Sequence, residues 1–107
     1  MSDLQKIQTE MFEKSDMLIE MSEVFGALAS DCRLEIIYLL LHVDALPSGE
    51  IARLTNCTPS QVSQYLSKMH DAWLVEKRRS WREVEYSIDR SSPFVQGLIA
   101  YLAVCMK

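Results

Sequence analysis

Thr58-Pro59-Ser60-Gln61 constrains this chain more than any other stretch, because three separate helix-start signals coincide in four residues. Thr58 offers a hydroxyl to the free N–H groups of a first helical turn. Pro59 fills the first helical position, where a missing N–H costs nothing, and Gln61 falls three residues after the cap, where it can reach back. A helix must begin there. It is expected to run to about Asp71, with Val62, Leu66 and Met69 inward and Ser60, Gln61, Gln64, Ser67 and Lys68 outward.

Around that point the 107-residue chain reads as one mostly helical domain spanning 1–107, with only three Gly and three Pro to interrupt it. Leu4, Ile7, Met11, Leu18, Met21, Phe25 and Leu28 recur at helical spacing, predicting one long helix, or two in tandem, ending near Ala29. Ser30-Asp31 caps a second segment from about Cys32 to His42 that is apolar on almost every side. Pro47-Ser48 opens a short helix with Ser48 as its expected cap. Thr55-Asn56-Cys57 closes that helix, with Asn56 the candidate left-handed turn residue. Beyond Trp73, residues 75–79 and 84–88 alternate apolar and polar around a tip of Ser80-Trp81-Arg82-Glu83, predicting a β-hairpin. Ser91-Ser92-Pro93 starts a last helix with Phe94, Val95, Leu98, Ile99, Tyr101, Leu102, Cys105 and Met106. That helix is too apolar to be half exposed in a monomer, so it and the first helix are the expected dimer interface.

Short helix, tight turn, a second helix with a small polar outer face, then a basic hairpin: this order describes a winged helix-turn-helix. The predicted class is mainly α with a small β-hairpin, in the order α-α-α-α-β-β-α and homodimeric, with terminal helices at the interface. Double-stranded operator DNA is the expected partner. Thr58, Ser60, Gln61, Ser63, Gln64 and Lys68 are the candidate groove residues, since Gln can pair bidentately with adenine and Ser or Thr can reach bases or phosphates. Lys77, Arg78, Arg79 and Arg82 are the candidates for phosphates or the adjoining minor groove. The net charge of −4 opposes DNA binding until its position is considered. Residues 1–31 hold seven acids against two lysines, a balance of −5, whereas residues 53–82 hold six basic residues against two acids, a balance of +4. Phosphate contact is local and salt-dependent, so the basic half carries the argument.

The chain resembles the ArsR/SmtB family of bacterial repressors over nearly its whole length. The resemblance rests on 25–31 with Arg33-Leu34-Glu35-Ile36-Ile37, on Ser48-Gly49-Glu50-Ile51-Ala52, on 59–69, and on Trp73-Leu74-Val75 with 84–88. It implies a homodimeric transcriptional repressor released from its operator by an inducer. Tyr65 departs from the pattern, where many relatives have His. The metal sites usual in the family have no counterpart. The first helix of the motif, 48–54, carries no Cys, and 91–107 carries no His, Asp or Glu. No metal and no cofactor are therefore expected, an unusual thiolate site for a metal or metalloid being the alternative.

Three cysteines remain, with no C-x-x-C spacing and only two histidines. No apolar run approaches the roughly 20 residues of a membrane span, and Met1 to Gln5 shows no basic stretch leading into an apolar one. A cytoplasmic chain with reduced thiols is the expectation. Cys57 reads as a small buried hydrophobe. By resemblance, Cys105 occupies the position of a sensing Cys in the sulfide- and persulfide-responsive branch, whose second Cys falls at Tyr38 here. Cys32, six residues earlier and about 9 Å away along a helix, is then the remaining partner for a switch worked by oxidation or persulfidation. Two packed cysteines in a constitutive or differently induced repressor is the other reading. A winged-helix module that binds protein and not DNA is the runner-up function. An enzyme is the least expected class, since no Ser/His/Asp, Cys/His, paired-carboxylate or Gly-rich phosphate constellation stands out.

Overall fold

The computed structural model describes residues 2–105; Met106, which the sequence adds to the last apolar stripe, lies outside them. The chain runs α1 (Asp3–Glu13), α2 (Ser15–Ala27), α3 (Asp31–His42), β1 (Leu46–Pro47), α4 (Ser48–Leu54), α5 (Pro59–Asp71), β2 (Val75–Ser80), β3 (Glu83–Ile88) and α6 (Pro93–Cys105). This is the expected order, with the leading segment resolved into two helices in tandem and one short strand added. The sheet is antiparallel with β3 central, and β1 pairs Leu46 with Tyr86 and Pro47 with Glu85.

Local chemistry accounts for most boundaries. Ser2 and Gln5 form a reciprocal cap at the start of α1, and Lys14 (φ −100°, ψ 15°) separates α1 from α2. Ser30 caps α3 as expected, its hydroxyl accepting the Arg33 N–H at 3.2 Å. Ser48 is not a cap. Pro47 holds that place with no side-chain bond, because the chain enters α4 straight from its pairing with β3. Asn56 is also corrected. Among the described residues the non-glycine positions with positive φ are Trp73 and Trp81, and Asn56 instead donates its side-chain amide to Glu35 Oε1 at 3.2 Å.

Ile36, Ile37 and Leu40 of α3 form the middle of the core, with Ile51 of α4, Val62, Leu66 and Met69 of α5, Leu74 just before the sheet, Val75 and Ile88 of the sheet, and Val95 of α6. α2 joins through Val24, Ala27 and Leu28, and Phe25 meets the Phe94 ring edge-on at 5.4 Å. By contrast α1 buries nothing. The radius of gyration of 16.6 Å exceeds the about 13 Å of a compact chain this long. Leu4 and Phe12 are 78% and 79% exposed, and Tyr101 and Val104 on α6 are each 67% exposed. No helix of the described residues is long and apolar enough to cross a membrane.

Candidate nucleic-acid interface

α5 begins as its sequence requires. Thr58 Oγ1 accepts the Gln61 N–H at 3.1 Å, and the Gln61 side-chain carbonyl accepts the Thr58 N–H at 2.9 Å. The reciprocal bonds satisfy two donors that would otherwise be open at the helix start. Thr58→Ala is therefore expected to lower stability by about 1 kcal/mol, measured by urea unfolding. This geometry divides the sequence-named residues. Ser60, Ser63, Gln64 and Lys68 are exposed on the side of α5 opposite Val62, Leu66 and Met69, whereas Thr58 and the half-buried Gln61 are engaged with each other.

The wing lies immediately after α5. Leu74 donates to Met69 O at 2.9 Å and Trp73 to His70 O at 3.1 Å, a helix-ending pair of bonds that sets Trp73 at φ 62° where Gly is the usual residue. Val75 pairs with Ile88 and Ser80 with Glu83, so the tip is the two residues Trp81 and Arg82, shorter than the four expected. Trp81 takes the positive φ of 49° at the first of them and is 86% exposed. The Arg82 guanidinium stacks over the Trp81 ring at 4.5 Å. Lys77, Arg78, Arg79 and Arg82 are all exposed. Arg78 faces its cross-strand partner Glu85 at 3.4 Å, leaving Lys77, Arg79 and Arg82 as the wing cations without an acidic neighbour among the salt bridges of the described residues.

Three further features of the site emerge only from the structure. Arg53 in α4 pairs with Glu50, and the guanidinium holds the Glu50 carboxyl below the usual carboxylate range through that hydrogen bond, so Arg53 adds less to the basic surface than its charge implies. Arg33 sits over the Tyr65 ring at 4.4 Å and donates to Gly26 O at 2.7 Å, linking the α2–α3 turn to α5 through Tyr65. Third, Cys32 is joined to Cys57 by a disulfide, with Cα atoms 5.7 Å apart.

That bond corrects two expectations, three reduced thiols and a Cys32–Cys105 pair. Cys57 is buried as expected, but against the first turn of α3. The far part of α6, at Leu102 and Ala103, faces Tyr38, Leu41 and His42 at the opposite end of α3, about 15 Å along the helix from Cys32. Cys105 is free and exposed; its interaction with Tyr101 raises the proton affinity of that phenol. Cys32, Glu35 and Cys57 bring their ligand atoms within 4.8 Å of one another, the one such group among the described residues where the unusual thiolate site could be built. With the two sulfurs bonded, neither is available as a thiolate ligand.

Short helix, turn, exposed polar helix face and basic hairpin are thus assembled on one core. The family described as "Bacterial regulatory protein, arsR family" matches residues 30–77, which span α3, α4, the turn and α5. The HTH-type transcriptional regulator YgaV of Escherichia coli K12 is 28% identical over 94 residues, covering 88% of this chain and 93% of its own. Among solved structures, the transcriptional repressor PagR of Bacillus anthracis is 31% identical with a TM-score of 0.67, covering 82% of this chain and 98% of PagR. The homodimeric winged helix-turn-helix DNA-binding domain of a possible ArsR-family regulator from Mycobacterium bovis is 29% identical with a TM-score of 0.72, covering 87% and 83% of the two chains. The chain belongs to the bacterial ArsR family of transcriptional regulators, built on a DNA-binding winged helix-turn-helix.

Proposed function

We propose that the protein is a cytoplasmic homodimeric repressor that reads an imperfect palindrome in double-stranded operator DNA. The observation that carries this reading is the exposed row Ser60, Ser63, Gln64 and Lys68 on α5, set beside the wing cations Lys77, Arg79 and Arg82, which have no acidic partner among the described residues. Small polar side chains let a helix lie deep in the major groove, and Gln64 is long enough for a bidentate contact to an adenine edge. The wing cations then meet phosphate and fix the register. The apolar faces of α1 and α6 are exposed in one chain and suited to a second copy, and the Mycobacterium bovis relative is homodimeric.

Two substitutions separate reading from anchoring. Gln64→Ala is expected to cost about 1–3 kcal/mol of discrimination at one base pair, with little loss on non-specific DNA. Arg79→Ala is expected to weaken all sequences alike and to flatten the salt dependence by about one unit of slope. Anisotropy titrations over a range of salt concentrations check both. Equal losses on specific and non-specific DNA for Gln64→Ala would remove it from base reading.

A further inference from the structure

The turn that leads into α5 is fastened to the rest of the fold at one covalent point. Cys57 immediately precedes Thr58, the cap of α5, and is bonded to Cys32 in the first turn of α3. Beside it, Asn56 donates to Glu35, also on α3. The capping residue Gln61 brings its Oε1 to 3.9 Å from Cys32 Sγ. Sulfur pair, turn and cap therefore form one connected cluster under the start of the helix proposed to read DNA. Cys32 is half-buried and Cys57 buried, so a reagent reaches Cys32 first.

We infer that Cys32 and Cys57 form a reversible two-electron thiol-oxidation site, taking small-molecule disulfides as oxidant, and that closing the bond rigidifies the entry to α5. In the closing reaction the Cys32 thiolate attacks one sulfur of a disulfide RSSR, forming a Cys32–SR mixed disulfide and releasing one RS⁻. The Cys57 thiolate then attacks Cys32 Sγ and expels the second RS⁻. The protein loses two protons and two electrons, and RSSR is reduced to two RSH. The closed bond spans 25 residues of sequence that include all of α4 and the turn, so it restricts the unfolded chain as well as the turn itself. Cys105, at the far end of α6, takes no part.

The inference does not depend on DNA binding, and its test uses no DNA. The full-length protein is reduced, then equilibrated in glutathione buffers from fully reduced to fully oxidised and digested with trypsin under non-exchanging conditions. Oxidation should join the peptide Ser15–Arg33 to Leu54–Lys68, with loss of two hydrogens, and leave Ser91–Lys107 unlinked. The closed form should melt at least about 5 °C higher. Its amides at 57–62 should exchange at least about tenfold more slowly than those of the reduced form. Cys32→Ser, at a half-buried position that tolerates a hydroxyl, should abolish all three responses, and Cys105→Ser should keep them. A link carried by Ser91–Lys107, thiols at 32 and 57 that stay free in fully oxidised buffer, or unchanged exchange at 57–62 after the bond closes would each overturn the inference.

Discussion

Ile7→Asp combined with Met11→Asp is expected to leave a folded monomer whose affinity for an operator palindrome is at least about a hundredfold lower than that of the parent. Both positions lie on α1, which buries nothing within its own chain, so the aspartates cost the monomer fold little. In a dimer the same carboxylates would be driven into an apolar contact without partners. Once the chains separate, the second half-site no longer benefits from the high effective concentration that linkage provides, and that loss is typically two to four orders of magnitude. Sedimentation velocity reads the assembly, circular dichroism the fold, and anisotropy the affinity. A dimer of unchanged affinity would move the interface away from α1.

Leu66→Ala is expected to have the largest effect on stability, about 2–5 kcal/mol in urea unfolding. Leu66 is fully buried on the underside of α5, in the same cluster as Ile36, Leu40 and Ile51. With a total stability of about 5–15 kcal/mol for a domain of this kind, that one substitution removes a large fraction of it. Two residues away, Gln64→Ala on the exposed face should stay within about 0.5 kcal/mol. The contrast between the two faces of one helix separates holding the fold from contacting DNA. Similar losses at both positions would contradict the orientation of α5.

How much of this was legible in the sequence depends on how far apart the interacting residues lie. The Thr58–Gln61 cap, the Ser30 cap, the inward row of α5 and the antiparallel wing all rest on contacts a few residues apart, and each appears as expected. The two-residue strand β1 exists only because Leu46 and Pro47 meet Tyr86 and Glu85, some 40 positions away, and nothing near Leu46 announces it. The tight turn at the wing tip placed Trp81, and the end of α5 placed Trp73, in the left-handed region without a glycine. Residue type alone points to Asn56 for that conformation, because Gly and Asn adopt it most readily. The Cys32–Cys57 bond was missed for a related reason. Helical spacing measured distance along α3 toward Tyr38, whereas the fold brings the turn before α5 against the opposite end of that helix.

The candidate DNA-contacting residues divide between sequence and structure in their own way. Residue type and spacing identified the exposed row on α5, the basic wing and the reciprocal Thr58–Gln61 cap, whereas the ion pairs of Arg78 with Glu85 and of Arg53 with Glu50 emerge only from the structure. With those side chains engaged, Ser60, Ser63, Gln64 and Lys68 on the helix and Lys77, Arg79 and Arg82 on the wing are the exposed candidates for contact with a duplex.

Selection of binding sequences from fragments of the source genome, followed by titration of the best fragment over a range of salt concentrations, tests the central claim most directly. The account predicts a two-fold symmetric site bound by two chains, whose centres of contact lie about one helical turn apart. Affinity should fall steeply and log-linearly with salt, by a slope that drops when Arg79 is replaced. Failure to enrich any sequence at low salt, with the protein folded and dimeric, would contradict it and leave the winged helix as a protein-binding module.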